Sequence, residues 1–391
     1  VVFLRWVLNP MADTTTRILF TGGGSGGHTY PLLAVAEELK RIAAQEKFDL
    51  ELHYLGPKDG FAEILRPLGF YMDTVYSGKI RRYLSIENIF DIPKFFIGLV
   101  ESFWKVFWIM PDVIFSKGGT GAFPVVLAGK FYMIPVIVHE SDAQPGLNNL
   151  LSSRLASRVA VSFERAMPYF NPKKTAWIGT PVRRELLERP AQDAAKETLG
   201  FNSKMPLTLV LTGSQGSVRI NEFILTNLQS LLAETQVMHQ TGQANLHEVE
   251  RLARPVTTGL PSLAAAKTRY KAVGYLDGDG LKLALAAADL VIARAGSNNI
   301  SEIAAFGRPA ILIPLEESAN GHQRVNAYEF SKAGAAAVIE ESNLFPGIFL
   351  AQVKTILEHP DVAQKMSDAS QKFFKPGAAE AIAWEILRLV A

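Results

Sequence analysis

Polar residues suited to binding a phosphorylated sugar are concentrated between residues 290 and 327. An apolar run opens this stretch and predicts a buried parallel strand, which a turn of small residues follows. A helix is expected to start with Ser297 or Asn298 as its N-cap and to stop at Gly307, before a second apolar strand. Such a strand–turn–helix–strand unit aims free backbone N–H groups and the positive end of the helix at one point, which suits a phosphate group.

The side chains carried by this unit are those that a nucleotide sugar requires. Glu302 lies one turn into the helix, where its carboxylate can accept hydrogen bonds from the two hydroxyls of a ribose. The loop after the second strand carries His322, Gln323 and Asn326, whose neutral donors and acceptors suit a sugar ring. Each residue by itself is more often part of a solvated surface. Their combination in one unit predicts a pocket for a nucleoside diphosphate sugar.

A second candidate site lies near the start of the chain. Residues 21–28 form a glycine-rich turn between a predicted strand at residues 17–20 and a predicted helix at residues 31–42. His28 stands at the mouth of this turn, on the side of the sheet where open α/β folds bind ligands. It either caps the helix or acts as a general base, because imidazole titrates near neutrality. The glycines would let a bulky diphosphate approach the backbone closely.

An NAD-dependent oxidoreductase is an alternative interpretation of the same turn, since Gly22, Gly24 and Gly27 have the G-x-G-x-x-G spacing. That class of enzyme also needs an acidic residue at the end of the second strand, to bind the ribose. Here the acids, Asp49 and Glu51, stand at the start of that strand. This position counts against NAD, and the spacing alone is weak support because many tight turns share it.

Composition bounds the class of protein. The chain has 391 residues, of which 48% are hydrophobic, and this predicts two domains with strands buried on both faces. A net charge of +2 indicates no nucleic-acid partner, and the lack of cysteine excludes a disulfide framework and cysteine-ligated zinc. No apolar run reaches the ~18 residues that a membrane-spanning helix needs. Residues 1–10 are expected to be an extension before a natural start at Met11.

Residues 79–110 join a basic cluster to an apolar helix. Aromatic residues, among them Phe95, Phe96 and Trp104, lie on more than one face of that helix. Much of the apolar stripe is expected to pack under the sheet, but aromatic side chains beside lysine and arginine also suit an anionic bilayer surface. The basic residues are Lys79, Arg81 and Arg82.

The second half of the chain repeats the plan of the first, which predicts two doubly wound α/β halves with a cleft between them. A strand at residues 207–211 leads into a turn containing Ser214, a further phosphate-binding candidate. Asp277 and Asp279 form a D-x-D sequence, which is a metal-binding signature in one class of sugar-transferring enzymes. Gly278 between them favours a turn and a helix start instead, so no metal site is predicted.

Five stretches, in order, resemble motifs of the MurG family, the UDP-N-acetylglucosamine–N-acetylmuramyl-(pentapeptide) pyrophosphoryl-undecaprenol N-acetylglucosamine transferases of glycosyltransferase family 28. Residues 21–31 resemble T-G-G-G-(S/T)-G-G-H-x-x-P, and residues 139–142 resemble H-E-Q-N. Residues 179–183 resemble G-N-P-V-R. Residues 294–302 resemble R-(S/A)-G-A-x-T-x-x-E, and residues 322–327 resemble (H/Q)-Q-x-x-N-A.

Several positions depart from these motifs. Ser141 and Asp142 replace a glutamine and an asparagine, which turns a neutral contact on the acceptor side into an anionic one. Thr180 also replaces an asparagine. Asn299 stands where the family usually has threonine, a change that a backbone contact would survive. The resemblance nevertheless extends from Ile18 to the C-terminus.

The resemblance implies an α/β fold of the GT-B type, with two Rossmann-like domains whose parallel sheets face each other across a cleft. Residues 11–175 would form a membrane-facing domain that binds the acceptor, and residues 176–376 a domain that binds the UDP-sugar. Residues 377–391 would form a helix that packs back on the first domain.

The resemblance also implies inverting transfer of N-acetylglucosamine from UDP-N-acetylglucosamine to the C4 hydroxyl of lipid I, without a cofactor or a metal. The product, lipid II, would serve peptidoglycan synthesis and thereby cell wall biogenesis, cell shape and cell division. The enzyme would be peripheral on the cytoplasmic face of the inner membrane, contacting anionic lipid and other cell-wall synthesis proteins. A related enzyme with another lipid acceptor, or a non-catalytic sugar-nucleotide binder, would share the donor site and differ in transfer to lipid I.

The matched motifs also imply roles for single residues. His28 would be the catalytic base, and the backbone near Leu276 would face the uracil ring. The residues expected to bind the donor are Arg183, Ser214, Leu276, Ser297, Asn298, Asn299, Glu302, His322, Gln323 and Asn326. The residues expected to bind the acceptor or a diphosphate are Gly24, Ser25, Gly26, Gly27, Thr120 and Asp142.

Overall fold

The computed structural model describes residues 15–24, 26–58, 62–76, 87–119, 121–213, 215–258 and 269–390. The chain divides into two compact units, the first made of Val1–Arg183 with Gly377–Ala391 and the second of Arg184–Pro376. The first unit extends past residue 175, because the backbone N–H of Ile178 still donates to the carbonyl of Val161 at 3.1 Å. Outside the described residues lie Ser25, Thr120, Ser214, Lys79, Arg81 and Arg82.

The first unit is built on a seven-stranded sheet in the order β3-β2-β1-β4-β5-β6-β7, in which every described pairing is parallel. Its strands are β1 Thr16–Gly23, β2 Leu50–Gly56, β3 Tyr71–Thr74, β4 Val113–Gly119, β5 Val136–Glu140, β6 Arg158–Val161 and β7 Thr175–Trp177. Its helices before the second unit are α1 Gly26–Glu46, α2 Glu87–Ile109, α3 Ala122–Phe131 and α4 Leu147–Leu155.

The second unit is built on a six-stranded parallel sheet in the order β10-β9-β8-β11-β12-β13. Its strands are β8 Leu207–Leu211, β9 Gln236–Gln240, β10 Tyr270–Val273, β11 Leu290–Ala293, β12 Ala310–Leu312 and β13 Ala336–Val338. Its helices are α5 Gln192–Thr198, α6 Val218–Thr226, α7 Leu228–Glu234, α8 Leu246–Thr258, α9 Gly278–Ala287, α10 Ser297–Phe306, α11 His322–Lys332, α12 Pro346–Glu358 and α13 Pro360–Phe373.

Helices cover both faces of each sheet, which explains the continuous apolar runs of the strands. In β1, Ile18 and Phe20 contribute to one hydrophobic core and Leu19 to another on the opposite face. The C-terminal helix α14, Ala378–Val390, packs in the first of these cores, although it follows the second unit in the chain. Its Glu380 pairs with Arg41 of α1 at 3.1 Å.

The helix after the first glycine-rich turn is longer than the sequence predicts. Its expected span, residues 31–42, rests on an apolar stripe at helical spacing. In the structure α1 already begins at Gly26 and contains Pro31. Gly24 has a φ of 93°, a left-handed conformation that reverses the chain directly after β1 and brings the helix start forward. His28 therefore lies in the first turn of α1.

Both sheets have the same strand order, and this determines where ligands are expected. The direction of winding reverses between β1 and β4 in the first unit and between β8 and β11 in the second. Open α/β sheets bind ligands outside the carboxyl ends of the strands at such a switch point. The loops that follow these four strands contain the glycine-rich turns and the Arg294 turn singled out above.

Candidate active site

A buried cation, Arg294, joins two turns at the switch point of the second unit. Its Nη2 donates to the hydroxyl of Ser217, the N-cap of α6, at 2.8 Å. The same guanidinium pairs with Glu341 at 2.5 Å, and both side chains are almost completely buried. The hydrogen bond to Ser217 joins the turn before α10 to the start of α6, so that two helix N-termini lie at one sheet edge.

The N-terminus of α10 is open to a ligand among the described residues. Its N-cap is Gly296, which has no side chain with which to cap the helix. Nothing described lies within 4 Å of a Cβ built on Gly296. The expectation that Ser297 or Asn298 caps this helix is wrong, because Ser297 is buried inside the first turn, where its backbone is already helical. The first N–H groups of a helix lack intrahelical partners and can bind an anion.

Three polar residues follow this opening on α10. Asn298 and Glu302 are four residues apart, so they share one face of the helix, and both are partly exposed. Asn299 donates through Nδ2 to the carbonyl of Arg294 at 3.1 Å, which closes the turn on itself. The helix therefore presents an amide at its tip and a carboxylate one turn further along.

The residues after β12 divide into buried and partly exposed positions. Asn326 is fully buried, and its Nδ2 donates to the carbonyl of Ala295 at 3.2 Å, so its side chain supports the turn before α10. Gln323 accepts a hydrogen bond from the backbone N–H of Leu315 at 3.1 Å. Gln323 and His322 are both partly exposed at the start of α11.

The D-x-D sequence is a helix start, as its glycine predicts. Asp277 is the N-cap of α9 and accepts from the backbone N–H of Gly280 at 2.9 Å. Asp279 pairs with Lys282 at 2.9 Å one turn further on. Leu276, directly before this cap, has a buried side chain, which leaves its backbone as the group available to a ligand.

In the first unit, His28 lies against the turn that follows β4. A Cβ built on Gly119 would be 3.3 Å from Cδ2 of His28, so the imidazole lies beside that glycine. Gly119 has a φ of 86°, which lets the turn pass this closely. Arg183 also belongs to this unit, and its guanidinium carbon lies 5.1 Å from the ring centroid of Tyr30. The structure thus places Arg183 against α1, the helix that follows the first glycine-rich turn.

The turn after β5 is held by a buried carboxylate. Glu140 is 3% exposed and accepts hydrogen bonds from the backbone N–H groups of Asp142 at 2.9 Å and Gly146 at 3.0 Å. Asn149 donates a third bond at 3.0 Å. Burial raises the pKa of the Glu140 carboxyl, with Asp142 adding to this effect. The turn that carries Asp142 is therefore rigid at its base.

His139 has a structural position in the same region. Its Nε2 lies 3.1 Å from the carbonyl of Gly179 and 3.3 Å from the hydroxyl of Ser162. Burial lowers the pKa of His139 to about 3, with the nearby Lys117 charge acting in the same direction. A neutral imidazole that bridges two strands explains this histidine without a role in proton transfer.

Sequence reasoning missed Lys117, which is completely buried at the end of β4. Its Nζ donates to the hydroxyl of Ser141 at 2.7 Å. Burial lowers the pKa of Lys117, while the charges of Glu140 and Asp142 raise it. The sequence shows only that this lysine ends an apolar strand and precedes two glycines. The adjacent residues do not indicate that Ser141 is its partner.

The apolar helix at residues 87–109 is exposed along much of its length. Its core face consists of small or apolar residues such as Gly98, Ser102 and Val106. The expectation that much of the stripe packs under the sheet is confirmed only in part. Phe95, Leu99 and Phe103 are partly buried, and Phe103 packs against a hydrophobic core, but the other described aromatic residues of the helix are exposed. We call the exposed residues of α2 and of the end of α3 the apolar surface. They are Phe96, Ile97, Val100, Trp104, Phe107, Trp108, Phe131 and Met133.

Aromatic contacts make the apolar surface continuous. Trp104 and Trp108 are 64% and 67% exposed, and their ring centroids are 5.8 Å apart. Phe103 links the two helices through Phe131, at 5.1 Å. Phe95 is partly buried against Phe123 at 6.4 Å. Within the described ranges, no helix is both long and apolar enough to cross a bilayer.

The protein has two parallel sheets with matching strand order, and each sheet carries candidate ligand-binding turns at its switch point. These features define a GT-B-type α/β protein. The crystal structure of Acinetobacter baumannii MurG has this fold, with a TM-score of 0.72 at 22% identity, over 95% of this chain and 99% of that one. The model of the glycosyltransferase family 28 N-terminal domain matches residues 18–161, and that of the C-terminal domain matches residues 207–382.

Relatives of known name identify the family more closely. A UDP-N-acetylglucosamine–N-acetylmuramyl-(pentapeptide) pyrophosphoryl-undecaprenol N-acetylglucosamine transferase 2 of Bacillus cereus is 36% identical over 88% of this chain and 90% of its own length. The corresponding transferase of a Thermoanaerobacter species is 36% identical over 94% of this chain and 98% of its own length. The chain belongs to this family of N-acetylglucosamine transferases, the MurG family. Membership excludes the NAD-dependent oxidoreductase.

Proposed function

We propose that the protein transfers N-acetylglucosamine from UDP-N-acetylglucosamine to the C4 hydroxyl of the muramyl sugar of lipid I. The products are lipid II, for peptidoglycan synthesis, and UDP. The observation that carries this proposal is the similarity to transferases named for this reaction over about nine tenths of the chain. Lipid II formation serves the cell wall, and through it cell shape and division.

The second unit binds the donor in this proposal. The open N-terminus of α10, with Ser297, Asn298 and Asn299, receives the diphosphate, since a helix N-terminus stabilises negative charge. Glu302 accepts hydrogen bonds from the ribose hydroxyls. Helix N–H groups replace a metal ion in neutralising the departing UDP, so transfer is expected to persist in EDTA.

The remaining donor contacts surround this helix. Gln323 and His322 are partly exposed and bind the sugar, and the backbone at Leu276 faces the uracil ring. Asn326 acts indirectly, because its buried amide supports the turn before α10. Ser214, in the turn after β8, completes the diphosphate site.

The first unit binds the acceptor. Its diphosphate meets the glycine-rich turn, with Arg183 as a nearby cation. The residues of this surface are Gly24, Ser25, Gly26, Gly27, Thr120 and Asp142. His28 takes the proton from the C4 hydroxyl while the oxygen bonds to the anomeric carbon and the bond from that carbon to UDP breaks. Attack from the side opposite the leaving group inverts the anomeric configuration.

One assay tests the reaction itself. Radiolabelled sugar is supplied as UDP-N-acetylglucosamine together with a lipid I analogue, with and without EDTA. Labelled disaccharide-lipid is expected in both samples. Donor binding without transfer to this acceptor would contradict the proposal, and transfer to a different lipid only would identify another acceptor. Loss of transfer in EDTA would overturn the metal-free part alone.

We further propose that the apolar surface docks on the anionic inner leaflet of the membrane, on its cytoplasmic side. Exposed aromatic rings of this extent are unusual on a free surface and suit a lipid interface. The triple substitution Phe96→Ser, Trp104→Ser and Trp108→Ser is expected to lower binding to vesicles containing anionic lipid at least about ten-fold, since each ring loses its burial in lipid. Cosedimentation with the vesicles measures this.

The matched control is Phe345→Ser, because Phe345 is 57% exposed but lies in the second unit. The control is expected to retain vesicle binding. Unchanged binding of a folded triple variant would exclude this surface as the docking site. Loss of folding, seen in the melting curve, would instead indicate that the rings contribute to the core.

A further inference from the structure

Lys117 occupies an irregularity of the first sheet. Thr21 of β1 pairs with Ser116 of β4, and the next residue, Gly22, pairs with Gly118. Lys117 is therefore the extra residue of a bulge. Bulges redirect a side chain and occur beside active sites. This bulge lies between the two strands that form the switch point of the first unit.

From the bulge, the lysine reaches the turn after β5. Its Nζ donates to the hydroxyl of Ser141 at 2.7 Å, and its side chain is completely buried. Glu140 and Asp142, on either side of that serine in the sequence, are the two carboxylates whose charges act on it. A buried charge without a countercharge is costly, so the lysine and the carboxylates stabilise one another.

The residues after Lys117 are fastened to the same turn. A Cβ built on Gly118 would lie 2.3 Å from Oδ1 of Asn149, so that side chain packs directly on the glycine. Asn148 donates through Nδ2 to the carbonyl of Gly119 at 2.7 Å. Gly119 in turn lies beside the imidazole of His28. A series of neighbouring residues thus connects the buried lysine to His28, the proposed catalytic base.

We propose that Lys117 is a positioning residue for the acceptor. It donates a hydrogen bond to Ser141, and its positive charge compensates the negative charges of the carboxylates on either side of that serine. The turn after β5 thereby keeps the conformation that binds the acceptor. The acid at Asp142, where the family has asparagine, is thereby matched by a cation buried behind it. This inference rests on the proposed function and deepens it.

The first test is Lys117→Met, which keeps the length of the side chain and removes its charge. The KM for a soluble lipid I analogue is expected to rise about ten-fold, because the turn loses a charge-assisted contact. The Kd for UDP, measured by calorimetry, is expected to change less than about two-fold, because the proposed donor site lies in the other unit. An unchanged acceptor KM overturns the inference.

The decisive readout is rescue. Asp142→Asn raises the acceptor KM in the wild type, because the lysine loses a countercharge. In the Lys117→Met background the same change is expected to recover most of the lost KM, since it removes the carboxylate left without its cation. A lysine with a merely structural role would give no such rescue, and an equal effect of Asp142→Asn in both backgrounds refutes the proposal.

The matched control is Lys196→Met in the second unit. Lys196 is also buried and pairs with Asp289 at 2.7 Å. This variant is expected to lower stability without changing the acceptor KM and without rescue by Asp142→Asn. If Asp142→Asn rescued the Lys196→Met variant as well, the rescue would reflect the overall stability of the protein rather than the contact of Lys117. This result would overturn the inference.

Two further measurements separate the possible failures. If Lys117→Met does not fold, Lys117→Gln takes its place in the cycle, because it also removes the charge but keeps a group that can donate to the hydroxyl of Ser141. If the wild type transfers no sugar to lipid I, the proposed function fails. The inference is then tested by melting temperature: Asp142→Asn is expected to raise it only in the Lys117→Met background, and a similar shift in both backgrounds refutes the charge balance.

Discussion

His28→Ala is expected to lower the turnover of sugar transfer by about 10²–10⁴-fold, the usual contribution of a general base. The KM for UDP-N-acetylglucosamine is expected to change less than about two-fold, because the imidazole lies in the first unit, beside Gly119. Steady-state kinetics with a lipid I analogue separate the two effects.

The control for His28 is His53→Ala. His53 is in the same unit and is also partly buried, but it stacks on Tyr71 at 4.9 Å on the edge side of β2. Its variant is expected to retain turnover. If His28→Ala turns over at the wild-type rate, another group must remove the proton.

Glu302→Ala is expected to weaken UDP binding by about 10–100-fold, because hydrogen bonds to a charged carboxylate contribute about 1.5–3 kcal/mol. The residue lies one turn behind the open N-terminus of α10, on the face that it shares with Asn298. Calorimetric titration with UDP measures the loss directly, without the acceptor.

Two variants make the result for Glu302 specific. Glu302→Gln keeps the shape and one acceptor oxygen, so an intermediate dissociation constant is expected. Glu358→Ala, at the end of α12 in the same unit, removes an acid outside the proposed site and is expected to leave UDP binding unchanged. A dissociation constant for Glu302→Ala equal to that of the wild type would remove this residue from the donor site.

Local patterns were sufficient where the physics is local. The apolar runs at residues 290–293 and 207–211 predict strands that the structure contains. Gly307 ends α10 in a left-handed conformation, as a helix-stopping glycine should. Asp277 begins α9 because a glycine-rich turn with an aspartate favours a cap. In each case the residues that decide the structure are neighbours in the sequence.

Patterns failed where neighbours in space decide the outcome. The aromatic stripe of α2 has helical spacing in either interpretation, and only the packing of Gly98 and Ser102 shows which face is buried. Gly98 allows such a close approach that a Cβ there would lie 2.0 Å from the carbonyl of Tyr76. Arg183 is the last residue of its sequence motif, and the motif does not indicate that the guanidinium packs over Tyr30 of the first unit.

The sequence by itself determined the two-domain α/β class, the motifs of an N-acetylglucosamine transferase and the helix tip suited to a diphosphate. These properties depend on apolar period, glycine spacing and helix termini, all of which act over a few residues. The tertiary structure alone decided that the buried Asn326 supports the turn before α10, that Arg294 joins this turn to the start of α6 through Ser217, and that Lys117 faces Ser141. Burial and charge pairing join residues far apart in the chain, so no local pattern contains them.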